Sequence, residues 1–435
     1  MNENQGDESL SPDSRWNSFA FLVDYAFFGA ALSFYNADSV LPALVRRLTQ
    51  SSPLVGLVTT VFRGGWLLPQ LGAGRFVDQK ARRKPYLVLG MIGRIAVPIL
   101  AFSLWFGLGR HPAVLLVVLF VGLAFFALAD GFGTVAWFDI FAETIPPKRR
   151  GPLMAVSQVT RGLLGLAVGK IISSVLGSPG IRFPDNYALI FGLASLAFIP
   201  STFALGSIRE PARRKESSSE KRDQEERWFA PLIADPQFRY LMVCEVLVGL
   251  YALASPFYVA HATEQLELSE SVVGSFVAAQ QVTGVVSGVV LGLLGRHWRP
   301  SDLIRVSSAV SITGPLFALL AHLTADSFLI RIYPVVYVAL GVYKGCRMMG
   351  FYNYLLSSAP EAVRPSYVGL ANTIMGGLTV APILGGWLLE ASSYIILFSV
   401  TTSLVALGFL FSLGLRPANV RMNSVRGLAA REAER

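Results

Sequence analysis

Twelve apolar runs, each near the roughly 20 helical residues needed to cross a hydrocarbon layer of about 30 Å, occupy almost the whole chain. They fall at approximately 19–44, 54–73, 86–108, 113–141, 153–176, 187–205, 238–260, 272–294, 303–321, 332–356, 367–389 and 394–415. In lipid every backbone group must find its partner within the protein, so runs of this length form helices. The expected fold class is an all-α integral membrane protein with twelve transmembrane helices. Charge agrees: 15% of the 435 residues are charged, against about 25% in a soluble domain, and the mean hydropathy is +0.52.

A net charge of +9 would suit a nucleic-acid partner in a soluble protein, but here the bases alternate from loop to loop. Loop 2–3 carries Lys80, Arg82, Arg83 and Lys84; loop 4–5 carries Lys148, Arg149 and Arg150; the interval between runs 6 and 7 and the tail after run 12 are also basic. Loop 7–8 has only Glu264, Glu267 and Glu270, whereas Arg46 and Arg47 in loop 1–2 run against the trend. Bases concentrate in cytoplasmic loops. The expectation is a multi-pass protein of the cell membrane with both termini cytoplasmic and no nucleic-acid partner. The first fifteen residues are polar and acidic, so the first run itself, with no cleaved signal, is expected to direct insertion. Cys244 and Cys346 lie within runs and imply no disulfide framework.

The long hydrophilic interval at 208–237 divides the runs six and six. The expected organisation is a tail (1–18), a six-helix bundle (19–207), a linker (208–237), a second bundle (238–415) and a tail (416–435). The halves repeat locally: Pro146 and Pro360 stand 214 residues apart, as do Arg150 and Arg364. Two six-helix halves in the same orientation imply a pseudo-two-fold axis along the membrane normal, with a solute site between them near the midplane.

The segment Gly74-Arg75-Phe76-Val77-Asp78-Gln79-Lys80-Ala81-Arg82-Arg83, placed between runs 2 and 3 of a six-plus-six repeat, resembles the major facilitator superfamily. The resemblance covers essentially the whole chain and is nearest to bacterial drug-efflux-like members. The family's pattern Gly-x-x-x-Asp-(Arg/Lys)-x-Gly-(Arg/Lys)-(Arg/Lys) falls on Gly74, Asp78, Arg82 and Arg83, with Gln79 where a base is usual and Ala81 where glycine is usual. The resemblance implies two pseudo-symmetric six-helix bundles. It also implies that Asp78 and the bases after it hold the cytoplasmic ends of the halves together in the outward-facing state. Drug–proton antiporters of the family carry Gly-x-x-x-Gly-Pro-x-x-Gly-Gly on span 5. Here the nearest match is on span 11, at Gly377, Ala381, Pro382, Gly385 and Gly386, where small residues allow close helix approach at the interface between halves. The arginine that those antiporters place on span 4 is absent, Ala127 standing in that register before Asp130.

Chemistry is expected at ionisable residues inside spans, since a charge at the helix centre costs about 2.5–3.5 kcal/mol on insertion scales. The resemblance implies that spans 1, 4, 7 and 10 line the cavity, and these carry Asp24, Asp130, Glu245, and Lys344 with Arg347. Lys344 stands 214 residues after Asp130. At 1.5 Å per residue both lie near the midplane, whereas Asp24 and Glu245 sit shallower, about 8 and 10 Å in. Desolvation favours the protonated form of a buried carboxylate, so the candidates for proton coupling are Asp24 first, then Asp130 and Glu245. An Asp130–Lys344 ion pair that only locks a closed state is the structural alternative. Lys344, Arg347, Arg63, Arg161, Gln280 and Asn372 are the candidate solute contacts, and their bases favour an anionic or zwitterionic solute.

No nucleotide-cradling loop and no metal-spaced His or Cys cluster is present. Neither enzymatic activity nor a cofactor or metal is expected. The reading is a secondary active transporter, working by alternating access with the bilayer, a small solute and protons as partners, exporting by proton coupling, and monomeric. Uptake or facilitated diffusion of an organic anion is the alternative, and a non-transporting scaffold or sensor a further one.

Overall fold

The computed structural model describes residues 12–70, 82–210, 235–294, 298–359 and 364–416. Helices account for the regular structure throughout these segments, with no strand among the described residues. Prolines mark where spans begin: Pro53, Pro85, Pro112, Pro147, Pro236 and Pro300 all stand in the first turn of their helices. That position has no helical partner for an N–H, so the missing donor is harmless there. Span 7 adds a side-chain cap, Asp235 accepting from the amides of Gln237 and Phe238 at 3.0 and 3.1 Å.

Ten helices are long and apolar enough to cross a membrane among the described residues. Span 2, Ser52–Leu67, runs toward the edge of the described residues, and span 10 is split by a π-helical turn, Met348–Tyr352, between Val335–Arg347 and Asn353–Ser358. Together the twelve form two pseudo-symmetric six-helix bundles. Spans 1 and 6, 2 and 4, 3 and 4, and 3 and 6 pack against one another in the first half; their counterparts 7 and 12, 8 and 10, 9 and 10, and 9 and 12 do so in the second.

Two seams join the halves, spans 5 and 8 and spans 2 and 11. Both rest on glycine. A Cβ on Gly56 of span 2 would strike the backbone of Pro382 on span 11, and one on Gly386 would meet Ser52 and Pro53 at 2.6–2.7 Å. Gly385 lies against the Leu253 backbone within its own half, and Gly377 has open space beside it. On the other seam Gly169 and Gly274 face each other.

The ends of the molecule differ. One apolar core runs through both halves from the end opposite the termini, the far end, where it includes Leu44 and Leu266, to Phe238, Ala359 and Leu415 at the terminal end of the second half. At the terminal end a separate cluster around Phe21, Leu87 and Ile140 belongs to the first half alone. The far end is also tied by charge. Arg46 makes a two-bond pair with Glu264, its Nη2 donating to Oε2 at 2.9 Å, and Arg47 meets Glu270 at 2.7 Å. The two arginines that break the loop-charge trend thus meet the carboxylates of loop 7–8. These pairs are partly exposed, and such pairs contribute up to about 1 kcal/mol. Glu264→Gln is accordingly expected to change the open-to-closed ratio at the far end by less than about fivefold, read as the spread of distances between spin labels across the seam.

Candidate functional site

Span 1 is not one helix. Pro12–Phe34 ends, the chain unwinds through Tyr35–Ser39, and Val40–Leu48 resumes. The local cause is legible in Asn36, Asp38 and Ser39, whose short polar side chains compete with helical hydrogen bonds. The Asn36 Oδ1 accepts from the Asp38 amide at 2.9 Å, a side-chain turn in place of a helical one. Irregular backbone at membrane depth survives only when protein partners satisfy it. Here Thr59 Oγ1 donates to the Ala37 carbonyl at 2.8 Å and Tyr337 Oη to the Asp38 carbonyl at 3.1 Å. Span 7 loses its α-helix at the equivalent place, after Gly249, where 3-10 turns carry the chain to Tyr258.

The unwound segment borders a cavity of about 660 Å³ between the halves. Asp38 is buried there between two cations, Arg63 Nη2 at 2.8 Å and Lys344 Nζ at 2.5 Å, and Gln280 Nε2 donates to it at 3.3 Å. Arg63 belongs to its own half; Lys344 and Gln280 belong to the other. Asn36 Nδ2 adds a bond to Gln280 Oε1 at 3.2 Å, and Gln281 Nε2 one to Ser33 Oγ at 2.5 Å. The gripped carboxylate is therefore a junction between halves, reached from the cavity along Lys344, whose side chain is 39% exposed.

Arg161 stands on the cavity wall in another condition. Its stem crosses span 1 at Gly29, where any Cβ would collide with it, and its guanidinium lies 5.6 Å from the centre of the Tyr25 ring. Among the described residues it has neither a carboxylate nor a hydrogen-bond partner, and its Nε is buried without one. Aromatic walls complete the chamber: Tyr251 and Tyr343 meet edge to face with centroids 4.2 Å apart, near Phe62 and Phe351.

Of the residues singled out in the sequence, Glu245, Lys344, Arg63, Arg161, Gln280 and Asn372 line this cavity. Arg347 closes the helix Val335–Arg347, but its side chain lies outside the described residues. Asp24 and Asp130 are not on the cavity wall. Asp24 is buried inside the first bundle, accepting from Trp137 Nε1 at 2.9 Å and Ser201 Oγ at 2.6 Å with Arg94 at 3.8 Å. Asp130 accepts from Trp66 Nε1 at 3.1 Å. The pair considered between Asp130 and Lys344 does not form; Lys344 meets Asp38 instead. Asp38 was not singled out, although Asn36-Ala37-Asp38-Ser39 is a polar cluster inside an apolar run.

In the loop 2–3 motif, Gly74 and Asp78 lie outside the described residues. Arg82 is exposed, and Arg83 is buried beside Asp139 at 3.5 Å and Glu143 at 3.4 Å, its amide donating to Glu210 at 2.6 Å. Asp139 and Glu143 belong to the first half, and Glu210 stands at the start of the linker. Among the described residues no three His, Cys, Asp or Glu side chains gather as metal ligands would.

Comparison with known proteins decides the family. A family model described as the Major Facilitator Superfamily matches residues 24–378. The chain belongs to that superfamily. The Enterobactin exporter EntS of Salmonella paratyphi A is 24% identical over 369 residues, covering 80% of each chain. Among solved structures, a bacterial homologue of the iron transporter ferroportin in its inward-facing state superposes with a TM-score of 0.70 at 15% identity, covering 92% of this chain and 98% of the other. The outward-facing state of a bacterial ferroportin homologue gives 0.59 at 17% identity, over 92% and 99%. The fold is thus that of a major facilitator transporter of small solutes.

Proposed function

We propose that the protein sits in the cell membrane with its termini in the cytoplasm and exports a small organic anion or zwitterion in exchange for protons. The observation that carries this reading is the charge of the central cavity. Among the described lining residues three cations, Arg63, Arg161 and Lys344, face two carboxylates, Asp38 and Glu245, and an excess of fixed positive charge in a low-dielectric chamber attracts anions. With the termini cytoplasmic, the tied far end is the outer gate and the conformation is inward-facing, which fits the better superposition on the inward-facing homologue. A curated relative named as an exporter supports the direction.

For the proton, Asp38 is the stronger candidate than Asp24, Asp130 or Glu245. Its cations are divided between the halves, so the motion that opens the outer gate separates it from Lys344 and changes its charge balance. The bonds to Asp24 and Asp130 come from within one half and travel with them. A carrier must feel the conformational change, because a group with equal interactions in both states biases neither.

Reconstituted vesicles with the terminal end outward test the function. An acidic lumen is expected to drive accumulation of organic anions against their gradient, and collapsing the pH difference to abolish it. Counterflow indifferent to pH would instead establish facilitated diffusion, and movement of solute together with protons would establish uptake.

A further inference from the structure

The repeat makes the two cavity walls comparable position by position. Gln158 and Asn372 stand 214 residues apart, as do Arg161 and Met375, and all four line the cavity. One pair conserves chemistry: an amide faces the solute from each half. The other breaks it, with a guanidinium on span 5 and a thioether at the equivalent place on span 11.

The charges on the wall are also unequal in commitment. Arg63 and Lys344 are held by Asp38, whereas Arg161 has the Tyr25 ring beside it but no carboxylate or hydrogen-bond partner among the described residues, and a buried Nε with nothing to donate to. That Nε has surrendered water without gaining a hydrogen bond, and the half-buried guanidinium gains most from a planar anion that takes two of its N–H groups at once. Beyond Met375 the second half adds the apolar Phe351 and Leu355, and the cation it brings to the wall, Lys344, is already paired with Asp38. The volume of about 660 Å³ is that of pockets which enclose drug-sized ligands.

We infer that the solute is an amphipathic monoanion bound in one orientation, its carboxylate-like group on Arg161 and its apolar or aromatic body against Met375, Phe351 and Leu355. This rests on the central cavity being the solute site. A dianion is disfavoured because its second charge would be desolvated against the apolar wall without a partner.

Equilibrium binding to the purified full-length protein, measured by titration calorimetry, tests the assignment without reference to protons or direction. The probes are 2-naphthoate, its neutral carboxamide and 2,6-naphthalenedicarboxylate. The native protein is expected to bind 2-naphthoate roughly tenfold or more tighter than either of the others. Arg161→Met should remove that preference while the weak carboxamide binding stays within about twofold, and Met375→Arg should shift the preference to the dicarboxylate. Arg161→Lys, keeping charge but losing the planar fork, should fall between. Equal binding of acid and amide, no binding of either, or an Arg161→Met protein that elutes as a single folded species with its preference intact would overturn the inference. If Arg161→Met does not fold, the dicarboxylate preference of Met375→Arg decides it. Binding as expected with no gradient-driven transport would sink the proposed coupling and leave this assignment standing; transport of some other solute class without these affinities would do the reverse.

Discussion

Asp38→Asn is expected to move the solute-free protein from the arrangement described here toward one open at the far end. The carboxylate ties an unwound stretch of span 1 to Lys344 and Gln280 of the other half, and deleting one member of a buried ion pair costs about 3–5 kcal/mol because its partner stays behind uncompensated. Lys344 keeps 39% of its side chain exposed, so water offsets part of that cost and about 2 kcal/mol is the expected effect, roughly thirtyfold in the closed-to-open ratio. Spin labels at Gln50 and Ser269, exposed positions of the two halves at the far end, would report it as a longer-distance population. Lys344→Gln should do the same, and the double substitution should add little, since both remove one shared interaction. A native distance distribution in either single variant would show that the junction does not hold the gate.

Gly274→Val should act in the same direction by a different force. A Cβ at this position would fall on the Gly169 carbonyl and on the backbone nitrogen of Ser173 across the seam, and backbone atoms cannot rotate aside. Overpacking of a tight contact costs about 1–3 kcal/mol, here charged entirely to the closed far end, because parting the halves removes the collision. The expected result is a protein that labels readily at far-end cysteines and binds poorly from the terminal side. Gly284 on the same span has nothing within 4 Å of its Cβ position, so Gly284→Ala should be tolerated within about 0.5 kcal/mol. Native labelling and thermal stability in Gly274→Val would mean that the seam is looser than the structure has it.

Much of this architecture is written in the length of the apolar runs and in the 214-residue repeat, because lipid leaves a chain so few ways to satisfy its backbone. The repeat also explains a misreading. It places Asp130 and Lys344 at equivalent positions, but symmetry equivalence is not contact: Asp130 meets Trp66 of its own half, and Lys344 reaches across to span 1. Asp38 was hidden by reading span 1 as an uninterrupted helix, which carries it away from the cavity. The three polar residues Asn36, Asp38 and Ser39 are the signal that the helix stops. Arg46 and Arg47, anomalous as topology markers, make sense only once Glu264 and Glu270 are brought opposite them. Pairings between residues more than 200 positions apart depend on how two bundles dock, and no local pattern encodes that.

If Asp38 couples solute movement to protons, two modes of transport should part company in the same vesicles. Gradient-driven accumulation needs a proton carrier; solute counterflow needs only an alternating cavity. With Asp38→Asn, accumulation of an organic anion under an imposed pH difference should disappear while counterflow remains measurable. Accumulation at the native level in Asp38→Asn would contradict it, as would loss of both modes together, which would leave Asp38 a structural tie and return the search for the proton to the buried carboxylates.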